Sequence, residues 1–150
     1  MFTRIATRLV PVLALVGAFG FAMDAHSAAN GAGLTFKSYY PSDAGCFSAS
    51  SYGAIVNNCP DARWVSASLP VPGGWHGTNV SLYGNSSMCQ TVSTNGVGNG
   101  ANVGAETWTV AGPKNWQTLN TGDRYVWDWS PVVFRCLIEG GGVVGSFTAL

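Results

Sequence analysis

Apolar and polar residues alternate most regularly over residues 125–139. In the first half of this segment, aromatic side chains occupy every second position: Tyr125, Trp127 and Trp129. In the second half, apolar side chains share one face: Val132, Phe134, Cys136 and Ile138. A period of two in segments rich in aromatic and β-branched residues is typical of half-buried strands. The pattern predicts two consecutive strands that break at Pro131, because proline has no amide hydrogen for the ladder.

Similar alternation, interrupted by turn residues, continues along most of the chain after residue 28. It predicts about nine short strands, among them residues 34–40, 53–58 and 63–69 and a closing strand over residues 143–149. No apolar period of 3.6 residues occurs in this part of the sequence. The sequence therefore predicts an all-β protein, an antiparallel β-sandwich of jelly-roll-like or Ig-like type with two disulfides.

Turn residues predict how some of these strands connect. Two pairs of segments have the pattern of β-hairpins: 79–83 with 88–94, and 106–110 with 115–119. Residues 70–77 and 95–102 are rich in proline or glycine and predict loops. Residues 120–123, Asn-Thr-Gly-Asp, predict a tight turn directly before the central segment.

The N-terminal segment has the pattern of a secretory signal peptide. Arg4 and Arg8 precede an apolar run over residues 9–23, and small residues follow it. The run is too short to span a bilayer, which needs about 20 residues. We therefore expect a signal peptide over residues 1–27, a single β-sandwich domain over residues 28–150, no membrane anchor after cleavage, and a secreted or periplasmic location.

Four cysteines remain after the predicted cleavage: Cys46, Cys59, Cys89 and Cys136. An even number of cysteines in an exported chain indicates two disulfides, for which three connectivities are available. We favour Cys46–Cys59 as a local pair and Cys89–Cys136 as a pair that joins two predicted strands. The chain has no C-x-x-C spacing and retains one histidine after cleavage, so we predict no metal site and no cofactor.

Charged residues are scarce, at 9% of the chain against about 25% in ordinary soluble proteins. After cleavage, five basic residues stand against six acidic ones, and they form no basic cluster along the sequence. Binding to a nucleic acid backbone needs such a cluster, so we predict no nucleic acid partner. The surface is expected to consist mainly of Ser, Thr, Asn and Gly.

Candidate catalytic residues are few. His76 lies in the glycine-rich segment 73–77, where an exposed loop histidine is the ordinary interpretation, and the nucleophile pattern G-x-S-x-G is absent. Glu106 and Asp128 fall within predicted strands, and a solvated outer face explains both. A small hydrolase would have to bring at least two of His76, Glu106, Asp123 and Asp128 to one site. We assign no catalytic residue.

Tryptophan is the one compositional excess, with six in the chain. Trp75 in a predicted loop and Trp64 opposite the apolar face of its strand are the better ligand candidates, since exposed aromatic residues often mark contact surfaces. Tyr125, Trp127 and Trp129 would stand about 6.6 Å apart along a strand, a spacing that suits a flat platform for sugar rings. The more ordinary interpretation is that they fill the core.

Several short motifs resemble a group of small exported bacterial proteins of predicted β-sandwich fold and uncharacterised function. They are residues 53–57 (GAIVN), residues 63–70 (RWVSASLP), Cys89 in its strand and residues 134–138 (FRCLI). The resemblance implies fold and export and identifies no catalytic residue. That pattern usually has a cysteine where Ala67 stands, so the disulfide connectivity stays open.

Together these features predict an exported, non-catalytic binding or interaction domain. Its candidate partners are carbohydrate or another component outside the cytoplasm. A small secreted hydrolase is one alternative. A structural or assembly subunit is another, because an uncharged edge strand over residues 143–149 would augment the sheet of a neighbouring protein.

Overall fold

The computed structural model describes residues 28–128 and 130–150, so the predicted signal peptide and Trp129 lie outside the described residues. Two short 3-10 helices occur, Gly33–Thr35 and Pro41–Cys46. The strands are β1 (Ala29–Ala32), β2 (Lys37–Ser38), β3 (Phe47–Ala49), β4 (Ile55–Asn57), β5 (Arg63–Pro70), β6 (Gly74–Gly84), β7 (Met88–Thr94), β8 (Ala101–Val103), β9 (Thr107–Trp108), β10 (Asn115–Val126), β11 (Pro131–Ile138) and β12 (Val143–Ala149).

These strands form two antiparallel sheets. Sheet A has the order β10-β6-β12-β4-β3, with β1 also paired to β12, and sheet B has the order β2-β5-β11-β7-β8, with β9 also paired to β7. Successive strands alternate between the two sheets from β4 to β7 and again from β10 to β12. The predicted all-β antiparallel sandwich is confirmed, and this alternation corresponds to its jelly-roll-like form.

One hydrophobic core lies between the sheets. Phe147 on β12 packs against Phe134 on β11 and Phe36, with ring centroids 4.7 Å and 5.0 Å away. Every second residue of β11 is fully buried between residues 132 and 138, as the alternation predicts. Full burial of one such side chain stabilises the fold by about 1.5–3 kcal/mol, so these side chains contribute strongly to holding the two sheets together. No helix in the described part of the chain is long and apolar enough to cross a membrane.

Both predicted hairpins are wrong, although most of their strands exist. Strand β6 belongs to sheet A and pairs with β10 and β12, whereas β7 belongs to sheet B and pairs with β11. In the same way, β9 pairs with β7 and β10 pairs with β6. Turns do occur at the predicted positions, but each of these two turns connects a strand of one sheet to a strand of the other sheet.

Three further expectations need correction. Residues 34–40 are not one strand, since a 3-10 helix occupies Gly33–Thr35 and only Lys37–Ser38 pairs. The loop expected over residues 70–77 is short, because β5 includes Pro70 and β6 begins at Gly74.

Residues 143–149 do form a strand, but β12 lies inside sheet A, paired with β6, β4 and β1. This strand has no free edge for a neighbouring protein, which removes the basis for the predicted assembly role.

Two disulfides close the fold. Cys46 is bonded to Cys59 with a Cα–Cα distance of 5.1 Å, and Cys89 to Cys136 with a Cα–Cα distance of 4.1 Å. This is the pairing that the sequence favoured. Cys89 and Cys136 are directly opposite each other on β7 and β11, so this bond lies within sheet B. It differs from the Ig disulfide, which joins the two sheets.

We expect the two disulfides to contribute unequally to stability. The Cys89–Cys136 bond closes a segment of 47 residues and the Cys46–Cys59 bond one of 13. In the chain-entropy model these contribute about 4 and about 3 kcal/mol respectively. Urea unfolding should therefore show a larger loss for the Cys89→Ala/Cys136→Ala variant than for Cys46→Ala/Cys59→Ala. A larger loss for the second variant would contradict the entropic account.

Candidate functional site

Three aromatic residues come together at one end of the outer face of sheet A. Trp75 on β6 lies directly opposite Tyr125 on β10, with ring centroids 5.6 Å apart. The Tyr125 ring in turn lies 5.5 Å from the ring of Trp127, in an edge-to-face arrangement. Trp75 is 63% exposed and Tyr125 38% exposed. We call these three residues the aromatic triad.

The core interpretation of this aromatic stripe is wrong for the part that the structure describes. Strand β10 ends at Val126, which is fully buried, while Tyr125 before it is exposed and Trp127 after it is half-buried. Trp75 also differs from expectation, because it belongs to β6 rather than to a loop. Val126 therefore packs in the core, and the aromatic rings form a surface. The rings of Tyr125 and Trp127 are inclined at 87° to each other, so the flat platform expected from their spacing is wrong for these two residues.

A β-bulge in β10 explains this reversal. Asn120 pairs with Asn79 and Gly122 pairs with Thr78, so Thr121 is an extra residue in β10. An extra residue shifts the alternation by one, and every side chain beyond it changes face. Before the bulge the exposed positions are even-numbered, and beyond it they are odd-numbered, at Asp123 and Tyr125. The residues expected to make a tight turn at 120–123 therefore make this bulge inside a strand.

Buried polar groups hold the bulge in place. The Thr78 hydroxyl lies 2.7 Å from the Thr121 hydroxyl and donates to the Gly122 carbonyl at 2.7 Å. Arg124 donates from Nε to the Thr91 hydroxyl at 2.9 Å, and its other nitrogens donate to the carbonyls of Thr121 and Asp123. These contacts join the bulge in sheet A to β7 in sheet B.

Arg124 lies beneath the triad, and its charge is desolvated there. Burial lowers the pKa of the Arg124 guanidinium from its usual value, and the negative charge of Asp123 opposes this effect. A β-carbon at Gly104 would lie 2.0 Å from Arg124 Nη2, so the guanidinium needs glycine at that position. The sequence pattern did not predict this cluster, and its one visible signal was an arginine directly before the first residue of the aromatic stripe.

A cleft of about 550 Å³ lies where the loop between β5 and β6 faces the turn that follows β10. Its lining is mostly apolar: Pro70, Val71, Pro72, Gly73, Asp128, Ser130 and Pro131. The Asp128 carboxylate lies close over Gly73, where a β-carbon would be 2.1 Å from Oδ1. Asp128 lies in a turn after the end of β10 at Val126, so the expectation that it lies in mid-strand is wrong.

His76 is buried, at 2% exposure, and lies within β6. The expected exposed loop histidine is therefore wrong. Its Nε2 lies 2.8 Å from the Pro72 carbonyl oxygen, so the ring ties the cleft loop to the strand. Its side chain faces the interior, while Asp123 on the neighbouring strand faces solvent. The structure thus does not bring these two hydrolase candidates to one site.

Trp64 lies apart from the triad, on the outer face of sheet B. The Arg135 guanidinium lies 5.4 Å from the Trp64 ring centroid and 5.2 Å from that of Tyr39. Trp64 is thereby half-covered in a cation–π contact. Within the described residues, no group of three or more His, Cys, Asp or Glu side chains is placed to hold a metal ion.

These features define an antiparallel β-sandwich with an aromatic surface on one sheet. A GH26-CBM35 β-(1,4)-mannanase of Podospora anserina is similar in structure, with 9% identity and a TM-score of 0.51 over 83% of this chain and 27% of the mannanase. The C-terminal CBM6 of LamC, a marine laminarinase of Zobellia galactanivorans, has 17% identity and a TM-score of 0.50, covering 81% of this chain and 98% of that one.

These similarities show a shared β-sandwich fold. This chain spans about a quarter of the mannanase and almost all of the laminarinase module. No family model and no curated protein matches the sequence.

We expect Arg124→Met to destabilise the protein by about 1–3 kcal/mol, because it leaves the buried partners of the guanidinium without a donor. Arg135→Met is the matched control, since it removes an arginine from a half-exposed cation–π contact worth about 0.5–1 kcal/mol. Urea unfolding followed by circular dichroism measures both losses. An equal or smaller loss for Arg124→Met would show that the buried cluster does not stabilise the bulge.

Proposed function

We propose that the protein is an exported, non-catalytic domain that binds neutral carbohydrate through the aromatic triad. The observation that carries this proposal is the cross-strand pair Trp75 and Tyr125, extended by Trp127, with two of its rings exposed on the outer face of a sheet. Exposed aromatic clusters of this kind are typical of ligand contacts.

Aromatic rings suit the pyranose rings of sugars because both are rigid and have apolar faces. The C–H groups on one face of a β-linked glucose or mannose unit can lie against an indole or phenol ring, which buries apolar area on both sides. Asp123 and Asp128 flank the triad and are exposed, and their carboxylates can accept hydrogen bonds from sugar hydroxyl groups. Rigid strands carry Trp75 and Tyr125, so little conformational entropy is lost when a ligand binds.

The structural comparisons support a sugar ligand without identifying it. One similar structure includes a CBM35 module in a mannanase, and the other is the CBM6 module of a laminarinase. In this chain the same kind of fold carries an aromatic surface and a low content of charge. Export is proposed from the signal-peptide pattern of residues 1–27, and two disulfides suit an oxidising compartment.

The described ligand candidates have different roles in this proposal. Trp75, Tyr125 and Trp127 form the binding surface. Trp64 lies on the other sheet beneath Arg135 and takes no part in it, although the sequence placed it beside Trp75 as a candidate. Trp129 lies outside the described residues and stays a candidate on the sequence pattern alone.

The test is calorimetric titration of the mature protein with three soluble ligands: laminarin, a β-1,4-mannan oligosaccharide and a β-1,4-glucan oligosaccharide. We expect at least one to bind, and Trp75→Ala to weaken binding about 30-fold, the effect of losing about 2 kcal/mol at a central aromatic contact. Trp64→Ala should bind like the wild type. Binding should change little between low and high salt, because the ligand is uncharged and no charge–charge attraction is screened.

Failure of all three ligands to bind at millimolar concentration would overturn the proposal. Equal losses in Trp64→Ala and Trp75→Ala would also contradict it, since they would place the ligand elsewhere or reflect unfolding. Circular dichroism of each variant separates these two cases.

A further inference from the structure

A second aromatic pair lies on the same outer face, at the far end of strands β6 and β10. Tyr83 is directly opposite Trp116 in the ladder, with ring centroids 5.7 Å apart. Trp116 is 55% exposed. Its ring reaches across β6 to Gly145 on β12, where a β-carbon would be only 2.8 Å from Cζ3 of the ring. Glycine at this position therefore leaves room for the indole on the outer face of the sheet.

A shallow groove of about 400 Å³ lies between the two aromatic ends. Small polar side chains from three adjacent strands line it: Asn79, Ser81, Thr118, Ser146 and Thr148. The ladder sets them in cross-strand rows, with Thr118 and Ser146 on either side of Ser81 and Thr148 beside Asn79. The lining of this groove is uncharged.

The polar side chains of the groove have no partner within the described part of the chain. The side chains of Asn79, Ser81, Thr118, Ser146 and Thr148 form none of its hydrogen bonds. They offer several donors and acceptors along one line. A ligand with many hydroxyl groups can form hydrogen bonds with these side chains, whereas an apolar partner would bury them without hydrogen bonds.

A further hollow adjoins Trp116. It measures about 440 Å³ and is lined by residues that include Tyr52, Val56 and Trp116. Tyr52 is 95% exposed. The polar groove therefore continues, through Ser81, into an apolar hollow at the Trp116 end. At the other end the pair Gly77 and Asp123 separates the groove from the triad.

The length of this surface indicates the size of its ligand. Trp75 and Tyr83 are eight positions apart on β6, an unbroken strand in which alternate residues face outward. At about 3.3 Å per residue, the two aromatic ends are about 26 Å apart. This distance is several times the width of one sugar ring. A monosaccharide or disaccharide on the triad would leave the groove and the Trp116 end empty.

We propose that the outer face of sheet A binds a linear neutral polysaccharide along β6, with Tyr83 and Trp116 as a second stacking site and the polar groove between them. This inference rests on the proposed function and extends it to the length and class of the ligand. Binding then occurs within a chain rather than at its end, because contacts at both aromatic ends need a ligand that extends along the whole of β6.

The experiment compares oligosaccharides of two lengths from whichever of the three ligands binds. We expect a hexasaccharide to bind at least about tenfold more tightly than a trisaccharide, the ratio that corresponds to about 1.4 kcal/mol from added contacts. Trp116→Ala should reduce hexasaccharide affinity about tenfold and leave trisaccharide affinity unchanged. Trp108→Ala is the matched control, because this tryptophan is 50% exposed but belongs to sheet B.

A second variant tests the groove without removing an aromatic residue. Ser146 is exposed in the middle row of the groove, so Ser146→Arg should fold and should obstruct the path of a chain. We expect it to reduce the affinity for the hexasaccharide to that for the trisaccharide. Circular dichroism and urea unfolding establish that the variant is folded.

The outcomes separate this inference from the proposed function. If Trp75→Ala abolishes binding while Trp116→Ala and Ser146→Arg have no effect at either length, the extended groove is wrong and the triad alone binds sugar. If no oligosaccharide or polysaccharide binds the wild type, both proposals are overturned. If Trp108→Ala weakens binding as much as Trp116→Ala, the ligand does not follow β6, and this inference is wrong.

Discussion

The β-bulge at Thr121 is the constraint on which the outer face of sheet A depends. Without the extra residue, the alternation of β10 would continue unchanged, with Arg124 and Val126 facing solvent and Tyr125 facing the core. With it, Val126 fills the core, Arg124 meets buried hydroxyl groups, and Tyr125 lies beside Trp75. A single inserted residue therefore exchanges the inner and outer faces of β10 beyond Thr121 and brings Tyr125 to the surface beside Trp75.

The polar cluster under the triad gives this arrangement its rigidity. Arg124 and three threonines bond to one another and to backbone carbonyls between the two sheets. A buried arginine without such partners would be strongly unfavourable, so the cluster stabilises only the register that contains the bulge. The same register sets the polar rows of the groove, because Asn120, Thr118 and Trp116 face outward on the near side of the bulge. The triad thus depends on the pairing of β10 with β6, and the groove depends on the same pairing together with that of β12 with β6.

Much of the fold could be predicted from local pattern. Strand β11 and the buried face of β5 follow the alternation at residues 132–138 and 65–69 as expected. The errors occurred where the pattern is compatible with two arrangements. A turn such as Gly84-Asn85 reverses the chain equally well within one sheet or between two sheets, and only the packing of the whole core selects between them. Residues 120–123 are likewise compatible with a tight turn and with a bulge. They form a bulge because β10 pairs with β6 on both sides of Thr121.

The sequence by itself determined the all-β class, the favoured disulfide pairing, the scarcity of charge and the excess of tryptophan. Composition is read directly from the sequence, and the alternation of apolar and polar residues over a few positions indicates strands with one buried face. Only the tertiary structure decided which aromatic residues face solvent and which of them meet. Trp75 and Tyr125 are 50 positions apart, and their contact depends on the register of β6 with β10. Trp64 and Trp75 are close in sequence but lie on different sheets, since the chain crosses the core between them. The physical reason is that alternation specifies two faces for each strand, whereas long-range pairing determines which face is inside.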